Sequence, residues 1–245
     1  MDKRKLPISV VMITLNEAHN MREVICNLKD WVEDIFVLDS FSKDETVDIC
    51  LEYGVNIYQR KFDGFGGQWN AALKKLPVKT PWVMKLDPDE RVTDRLKASI
   101  ADAIQKNNLD AGYVERRLWF MGKILPVKQL ILRLWKHGTC EFTDVPVNEY
   151  PVVKGVAKTL DGYLEHHDSP NLDHWINKQN HYSTLEALRQ WDGDRLMAPP
   201  DLFGGEICRR AWLKKYFWKV PGRYFILFIY HYFILGSYRS GKVGF

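Results

Sequence analysis

Trp82-Val83-Met84-Lys85-Leu86-Asp87-Pro88-Asp89-Glu90 decides how this chain reads: an apolar run of strand character that ends in three carboxylates. Side chains two apart on an extended segment share a face. The spacing therefore predicts Asp87 and Asp89 pointing into one site, with Pro88 restricting the backbone between them. Carboxylates so placed suit a hard divalent cation, Mg²⁺ or Mn²⁺, of the kind that carries phosphates. The same residues also read as an acidic turn, because Asp and Pro are common turn formers.

Upstream, Ile8-Ser9-Val10-Val11-Met12-Ile13-Thr14 is β-rich and apolar without strict alternation, the pattern of a strand buried on both faces of a parallel sheet. Met21, Val24, Ile25 and Leu28 fall at helical spacing within 20–29, and Ile35-Phe36-Val37-Leu38 reads as a second strand. A helix over 46–53 stops at Gly54, a short strand covers 55–58, and a helix over 67–76 closes at Pro77. After the strand at 82–86 a helix is expected over 94–105. This rhythm predicts an α/β fold, a mostly parallel doubly wound sheet with right-handed crossovers. Ligands of such sheets sit at the carboxyl ends of strands. Asn16-Glu17, Asp39-Ser40 and 87–90 would all lie on that edge. From Ala111 the pattern changes to strand-like pieces at 111–116 and 129–135, then a helix over 172–191.

Composition narrows the classes. With 245 residues, 46% of them apolar, the chain has material for a real core, which argues against disorder. Four cysteines without a Cys-x-x-Cys pair argue against a zinc knuckle or a disulfide framework and fit a reducing cytosol. The basic start at 1–7 lacks the apolar core of a signal peptide. The net charge of +4 is divided: from Ile207 onward there are eight Lys or Arg and no acid, leaving 27 basic against 31 acidic residues before it. A mildly acidic body thus carries a basic, aromatic tail.

Four ordered stretches make the chain resemble a family-2 glycosyltransferase with the nucleotide-sugar-binding GT-A fold. They are Val11 to Glu17, Val37-Leu38-Asp39-Ser40-Phe41-Ser42-Lys43-Asp44-Glu45-Thr46, Gly64-Phe65-Gly66-Gly67-Gln68-Trp69-Asn70, and Leu86 to Val92. A weaker likeness continues through Val145-Pro146-Val147-Asn148-Glu149 and Leu164-Glu165-His166-His167-Asp168. Within the family the chain is most similar to small bacterial enzymes that add a β-linked glucose to the lipopolysaccharide inner core. The resemblance implies a nucleotide-binding part at about 1–110, an acceptor part at about 111–198, and a nucleotide-sugar donor, UDP-glucose.

It also implies roles. Asp39 would accept the uracil imide hydrogen, with Thr14, Asn16, Glu17 and Ser40 lining the nucleoside pocket and Gln68 and Asn70 meeting phosphate or ribose. Asp87 and Asp89 match the family's Asp-x-Asp motif for the Mg²⁺ or Mn²⁺, with His166 completing the metal shell. An inverting transfer needs a carboxylate to take the acceptor hydroxyl's proton. Glu149 holds the glutamate position of a segment usually written Val-His-Glu, and Asp144 is the alternative base.

Trp212, Leu213, Tyr216 and Val220 cluster on one side of a helical projection, and residues 224–235 are apolar and aromatic. Twelve residues span about 18 Å as a helix, short of a hydrocarbon core of about 30 Å. The extension at 199–245 is therefore expected to associate with an anionic membrane surface without crossing it. With a lipid-linked saccharide as acceptor, this places the protein peripherally on the cytoplasmic face of the bacterial inner membrane. Nothing in the chain resembles a reader of nucleic acid. Two other readings compete: a sugar nucleotidyltransferase, which would want a Gly-rich basic loop where Leu15-Asn16-Glu17 stands, and a noncatalytic nucleotide-binding membrane adaptor.

Overall fold

The computed structural model describes residues 5–143, 149–191 and 199–244. Its first half alternates strand and helix: β1 (Leu6–Thr14), α1 (Ala18–Leu28), β2 (Val32–Asp39), α2 (Thr46–Glu52), β3 (Asn56–Gln59), α3 (Phe65–Lys75) and β4 (Trp82–Lys85). There follow a short β5 (Glu90–Val92), α4 (Asp94–Lys106), β6 (Ala111–Phe120), β7 (Lys123–Lys136), β8 (Cys140–Phe142), β9 (Pro151–Val153) and β10 (Ala157–His167). The rest is helical, with α5 (Leu172–Trp191), α6 (Glu206–Tyr216) and α7 (Arg223–Ile229), the last continued by a π-helical turn at Tyr230–Ile234.

β1 lacks alternation because both its faces are covered. Ile8, Val10 and Met12 pack into one core with Met21, Val24, Ile25 and Leu28 of α1. Val11 points the other way, into a second core built on Trp69 of α3, Phe36 and Leu38. Met12 is wholly buried, so cutting it back to alanine would cost about 2–5 kcal/mol.

The main sheet has the strand order β3-β2-β1-β4-β7-β6-β10-β5. β3, β2, β1 and β4 run parallel. β7 joins β4 antiparallel, and β5 pairs antiparallel with β10. The expected mostly parallel sheet is therefore a mixed one. The difference arises after Ala111, where β6, β7 and β8 follow one another with no helix between them.

This order has a geometric consequence. β4 and β5 are separated in the sheet by β7, β6 and β10. Four strand-to-strand steps would cover about 19 Å in a flat sheet, at roughly 4.8 Å each. Yet only residues 86–89 join them, and these are folded into a turn, with the Glu90 N–H donating to the Asp87 carbonyl at 2.9 Å. The sheet must therefore curl until β5 comes back toward β4, and the acidic turn closes the curl.

By contacts the chain forms two compact units: Met1–Leu118 with Lys128–His167, and Trp119–Val127 with Asp168–Phe245. The helix α5 thus groups with the C-terminal segment. The expected boundary after residue 198 borders the undescribed residues 192–198.

Candidate active site

The carboxyl ends of β1 and β2 are laced together by loop hydrogen bonds. The Asn16 N–H donates to Ser42 Oγ, and the Lys43 N–H to Asn16 Oδ1, each at 2.8 Å. The Glu17 N–H donates to Thr46 Oγ1 at 2.8 Å, and the Glu17 carboxylate accepts from Asn20. The Ser40 N–H returns to the Thr14 carbonyl at 2.8 Å. Asn16 and Phe41 both adopt the left-handed backbone conformation, at φ 58° and 63°.

Asp39 is fully buried. Its Oδ1 accepts from Thr14 Oγ1 at 3.0 Å and from the Ser42 hydroxyl, and its Oδ2 from the Ser42 N–H at 2.9 Å and Gln59 Nε2 at 3.1 Å. Gln68, also buried, donates to Ser40 Oγ at 3.2 Å and accepts from Arg60 at 2.6 Å. Asn70, expected to meet phosphate or ribose, is tied to β8. Its amide donates to the Phe142 carbonyl and accepts the Phe142 N–H, both at 2.9 Å, clasping β8 to α3.

The acidic motif is a turn. Its residues are not extended, so the same-face expectation for Asp87 and Asp89 fails, and the two carboxylates meet different partners. Asp87 Oδ2 lies 2.7 Å from Arg133 of β7 and 4.0 Å from Arg116 of β6. Glu90, with no exposed surface, accepts from Arg133 at 2.6 Å and Arg116 at 3.3 Å, and its other oxygen takes the Asp87 N–H. Burial pushes the Asp87 carboxyl up, but the charges of Arg133, Lys85, Arg116 and His166 outweigh it and hold it well below the usual carboxylate range.

Asp89 faces β10. Its Oδ2 lies 3.2 Å from His166 Nε2, and its carbonyl accepts the His167 N–H at 2.7 Å. Burial works to lower the His166 pKa, and the hydrogen bond and charge of Asp89 overcome it, so the pKa is raised. A carboxylate oxygen and an imidazole nitrogen side by side are ligand atoms that Mn²⁺ accepts, and Mg²⁺ shares the preference for the oxygen. His166 and Asp89 therefore fit a divalent cation. Asp168 also carries a carboxylate and follows His166 by two residues in sequence. His167, the next residue on the strand, pairs instead with Glu165 at 3.2 Å.

Glu149 stands at the same curled edge. Its Oε1 accepts from Lys85 Nζ at 2.9 Å, and both side chains are largely buried. Lys85, on β4, also lies 4.2 Å from the Trp69 ring centroid and 5.0 Å from that of Phe142. The alternative base Asp144 lies outside the described residues.

Sequence reasoning missed the cations. Lys85, Arg116 and Arg133 sit on three strands, and their meeting at the acidic turn depends on the curl. Arg91, which holds the turn through the Pro88 carbonyl at 2.6 Å and reaches Glu23 of α1 at 3.1 Å, was equally hidden. The available signal was the excess of charged residues inside otherwise apolar strands, since a buried cation needs a buried partner.

Comparison with known proteins places this arrangement. The family model "Glycosyl transferase family 2" matches residues 9–144. The lipopolysaccharide core biosynthesis glycosyltransferase LpsC of Rhizobium meliloti is 28% identical, over 98% of this chain and 86% of its own length. An uncharacterized glycosyltransferase of Rickettsia felis is 32% identical over 74% of this chain and 69% of its own. In fold, the chain is similar to the mannosyltransferase PcManGT of Pyrobaculum calidifontis, solved with GDP-Man and Mn²⁺, at a TM-score of 0.56 and 16% identity, over 92% of this chain and 75% of that one. The matched residues run from β1 through the laced loops and the acidic turn to β8, more than half of the chain, and the protein belongs to glycosyl transferase family 2.

Proposed function

We propose that this family-2 enzyme is an inverting, cation-dependent glucosyltransferase. Its donor is UDP-glucose and its acceptor a lipid-linked saccharide of the lipopolysaccharide core, met at the cytoplasmic face of the bacterial inner membrane. The observation that carries the reading is the Asp89–His166 pair, set by the closing turn on the same strand edge as Glu149.

In this reading Asp89 and His166 hold Mg²⁺ or Mn²⁺, which when bound neutralises charge on the departing diphosphate. Arg133 and Arg116 fix the turn through Asp87 and Glu90. Glu149, steadied by Lys85, accepts the proton of the acceptor hydroxyl as its oxygen bonds to the anomeric carbon. The bond from that carbon to the diphosphate oxygen breaks in the same step, and the nucleoside diphosphate leaves. The laced loops after β1 and β2 receive the nucleoside.

The lipopolysaccharide acceptor is supported by the likeness to LpsC. Membrane contact is supported by α7 and the turn after it, where no residue is buried and Tyr224, Phe225, Phe233 and Ile234 are 71%, 67%, 60% and 70% exposed. No described helix is long and apolar enough to cross a membrane. Basic residues at 209, 215, 219 and 223 flank this apolar segment and suit anionic headgroups.

The test is transfer of labelled glucose from UDP-glucose to lipopolysaccharide core acceptors, with and without EDTA. Transfer is expected with Mn²⁺ or Mg²⁺, lost with EDTA, and reduced about 100-fold or more in Asp89→Ala, a cost typical of losing a group that stabilises developing charge. Full turnover by Asp89→Ala would overturn the cation site, and transfer from GDP-mannose alone would overturn the donor.

A further inference from the structure

Phe41 is an aromatic side chain in the loop that follows β2. It is 53% exposed and takes a left-handed backbone conformation at φ 63°. For a bulky residue that conformation costs on the order of 1–3 kcal/mol, and such strain gathers at sites that bind or react. The surrounding hydrogen bonds enforce it. Ser42, the next residue, is held through both its N–H and its hydroxyl by Asp39, and its Oγ takes the Asn16 N–H from the other loop. Ser40, the residue before, is tied to the Thr14 carbonyl. Leu15, 53% exposed, stands just before Asn16 on the partner loop. The lacing thus presents a flat ring and an aliphatic side chain at the carboxyl ends of two adjacent parallel strands.

We propose that Phe41 is the stacking platform for the nucleobase of the donor, with Leu15 beside it. The assignment rests on the nucleotide-sugar reading above. A carboxylate has about four acceptor positions. Asp39 accepts from Thr14, Gln59 and the two donors of Ser42. Buried in this way, Asp39 braces the two loops, and the face of the base is left to an apolar surface. Phe41 supplies that surface where parallel sheets bind nucleotides, with about half of its side chain left open to solvent.

The closing experiment uses the full chain and titrates UDP, GDP and inorganic pyrophosphate calorimetrically in the presence of Mn²⁺, for the wild type, Phe41→Gly, Phe41→Ala and Phe41→Trp. Glycine relaxes the left-handed conformation, so Phe41→Gly is expected to melt no lower than the wild type. Its affinity for UDP should nevertheless fall about tenfold or more, the scale of one lost base–aromatic stack. Pyrophosphate affinity should stay unchanged, and Phe41→Trp should restore UDP binding that Phe41→Ala loses. Unchanged UDP affinity in Phe41→Gly and Phe41→Ala, or an equal fall for UDP and pyrophosphate, would overturn the assignment while leaving the nucleotide reading intact. A wild type that binds no nucleotide would overturn both.

Discussion

Lys85 and Glu149, 64 residues apart in sequence, meet at 2.9 Å over the face of Trp69. The pair is nearly dry, with side chains 7% and 13% exposed. If Glu149 takes the acceptor proton, Glu149→Gln keeps its shape and removes its basicity. The expected outcome is a fall in kcat of about 100-fold or more with donor KM unchanged. Initial-rate measurements over both substrates check this, and a change in KM alone would remove Glu149 from the chemistry.

Arg133 serves the fold as well as the site. Its guanidinium is 6% exposed and pairs with both Asp87 and the wholly buried Glu90. Replacing it by methionine leaves Glu90 with the longer Arg116 contact at 3.3 Å. Breaking a buried pair from one side costs about 3–5 kcal/mol. Arg133→Met is therefore expected to lower the urea midpoint strongly, and Arg133→Met with Glu90→Gln to recover part of the loss. A double variant no more stable than the single one would count against the pairing.

Acid should loosen the junction beneath β6 and β10. Asp110 accepts the Val156 N–H at 2.8 Å and the Lys136 ammonium at 2.9 Å, and these two hold its carboxyl below its ordinary value of 3.8. A depressed folded pKa contributes stability that is present above the unfolded value and is lost as pH falls through the folded one. Asp110→Asn is thus expected to be less stable than the wild type near neutrality, with the gap closing as the pH drops below 3.8. Denaturant midpoints across that range check the sign. Gly155→Ala should destabilise the same junction at any pH, because its φ is +120° and an added Cβ would lie 2.4 Å from Asp110 Oδ2.

Lipid contact through α7 is tested on the full chain by vesicle flotation. Phe225→Asp with Phe233→Asp replaces two exposed apolar side chains and touches no buried one. Binding to vesicles containing phosphatidylglycerol is expected to be lost in this variant, and wild-type binding to weaken at high salt as cation–headgroup attraction is screened. Equal flotation of the variant and the wild type would remove α7 from the membrane reading.

The parallel half was legible because each of its strands and helices carries its own pattern. Met21, Val24, Ile25 and Leu28 announce a helix face, and Ile8 to Met12 announce a doubly buried strand. The second half was less so. β5 has only three residues, too few for a period, and hid inside what reads as an acidic cluster. The antiparallel insertion of β7 beside β4 depends on tertiary pairing that no local pattern records. The candidate site divides in the same way. Thr14, Asp39 and Ser40 fall where strand ends predict, whereas the partners Arg133, Arg116 and Lys85 could be found only once the sheet was seen to curl.

The closing turn between β4 and β5 also bears on entropy. Because both its ends are strands of one sheet, Asp87, Asp89 and Glu90 have lost their backbone freedom before any ligand arrives. The ordering of roughly 1–2 kcal/mol per residue is met during folding, so a cation or diphosphate reaching this edge need not freeze a loop. Amide hydrogen exchange at Glu90 and His167, whose N–H groups bond across the turn, should accordingly follow the slow opening of the sheet and change little when nucleotide is added.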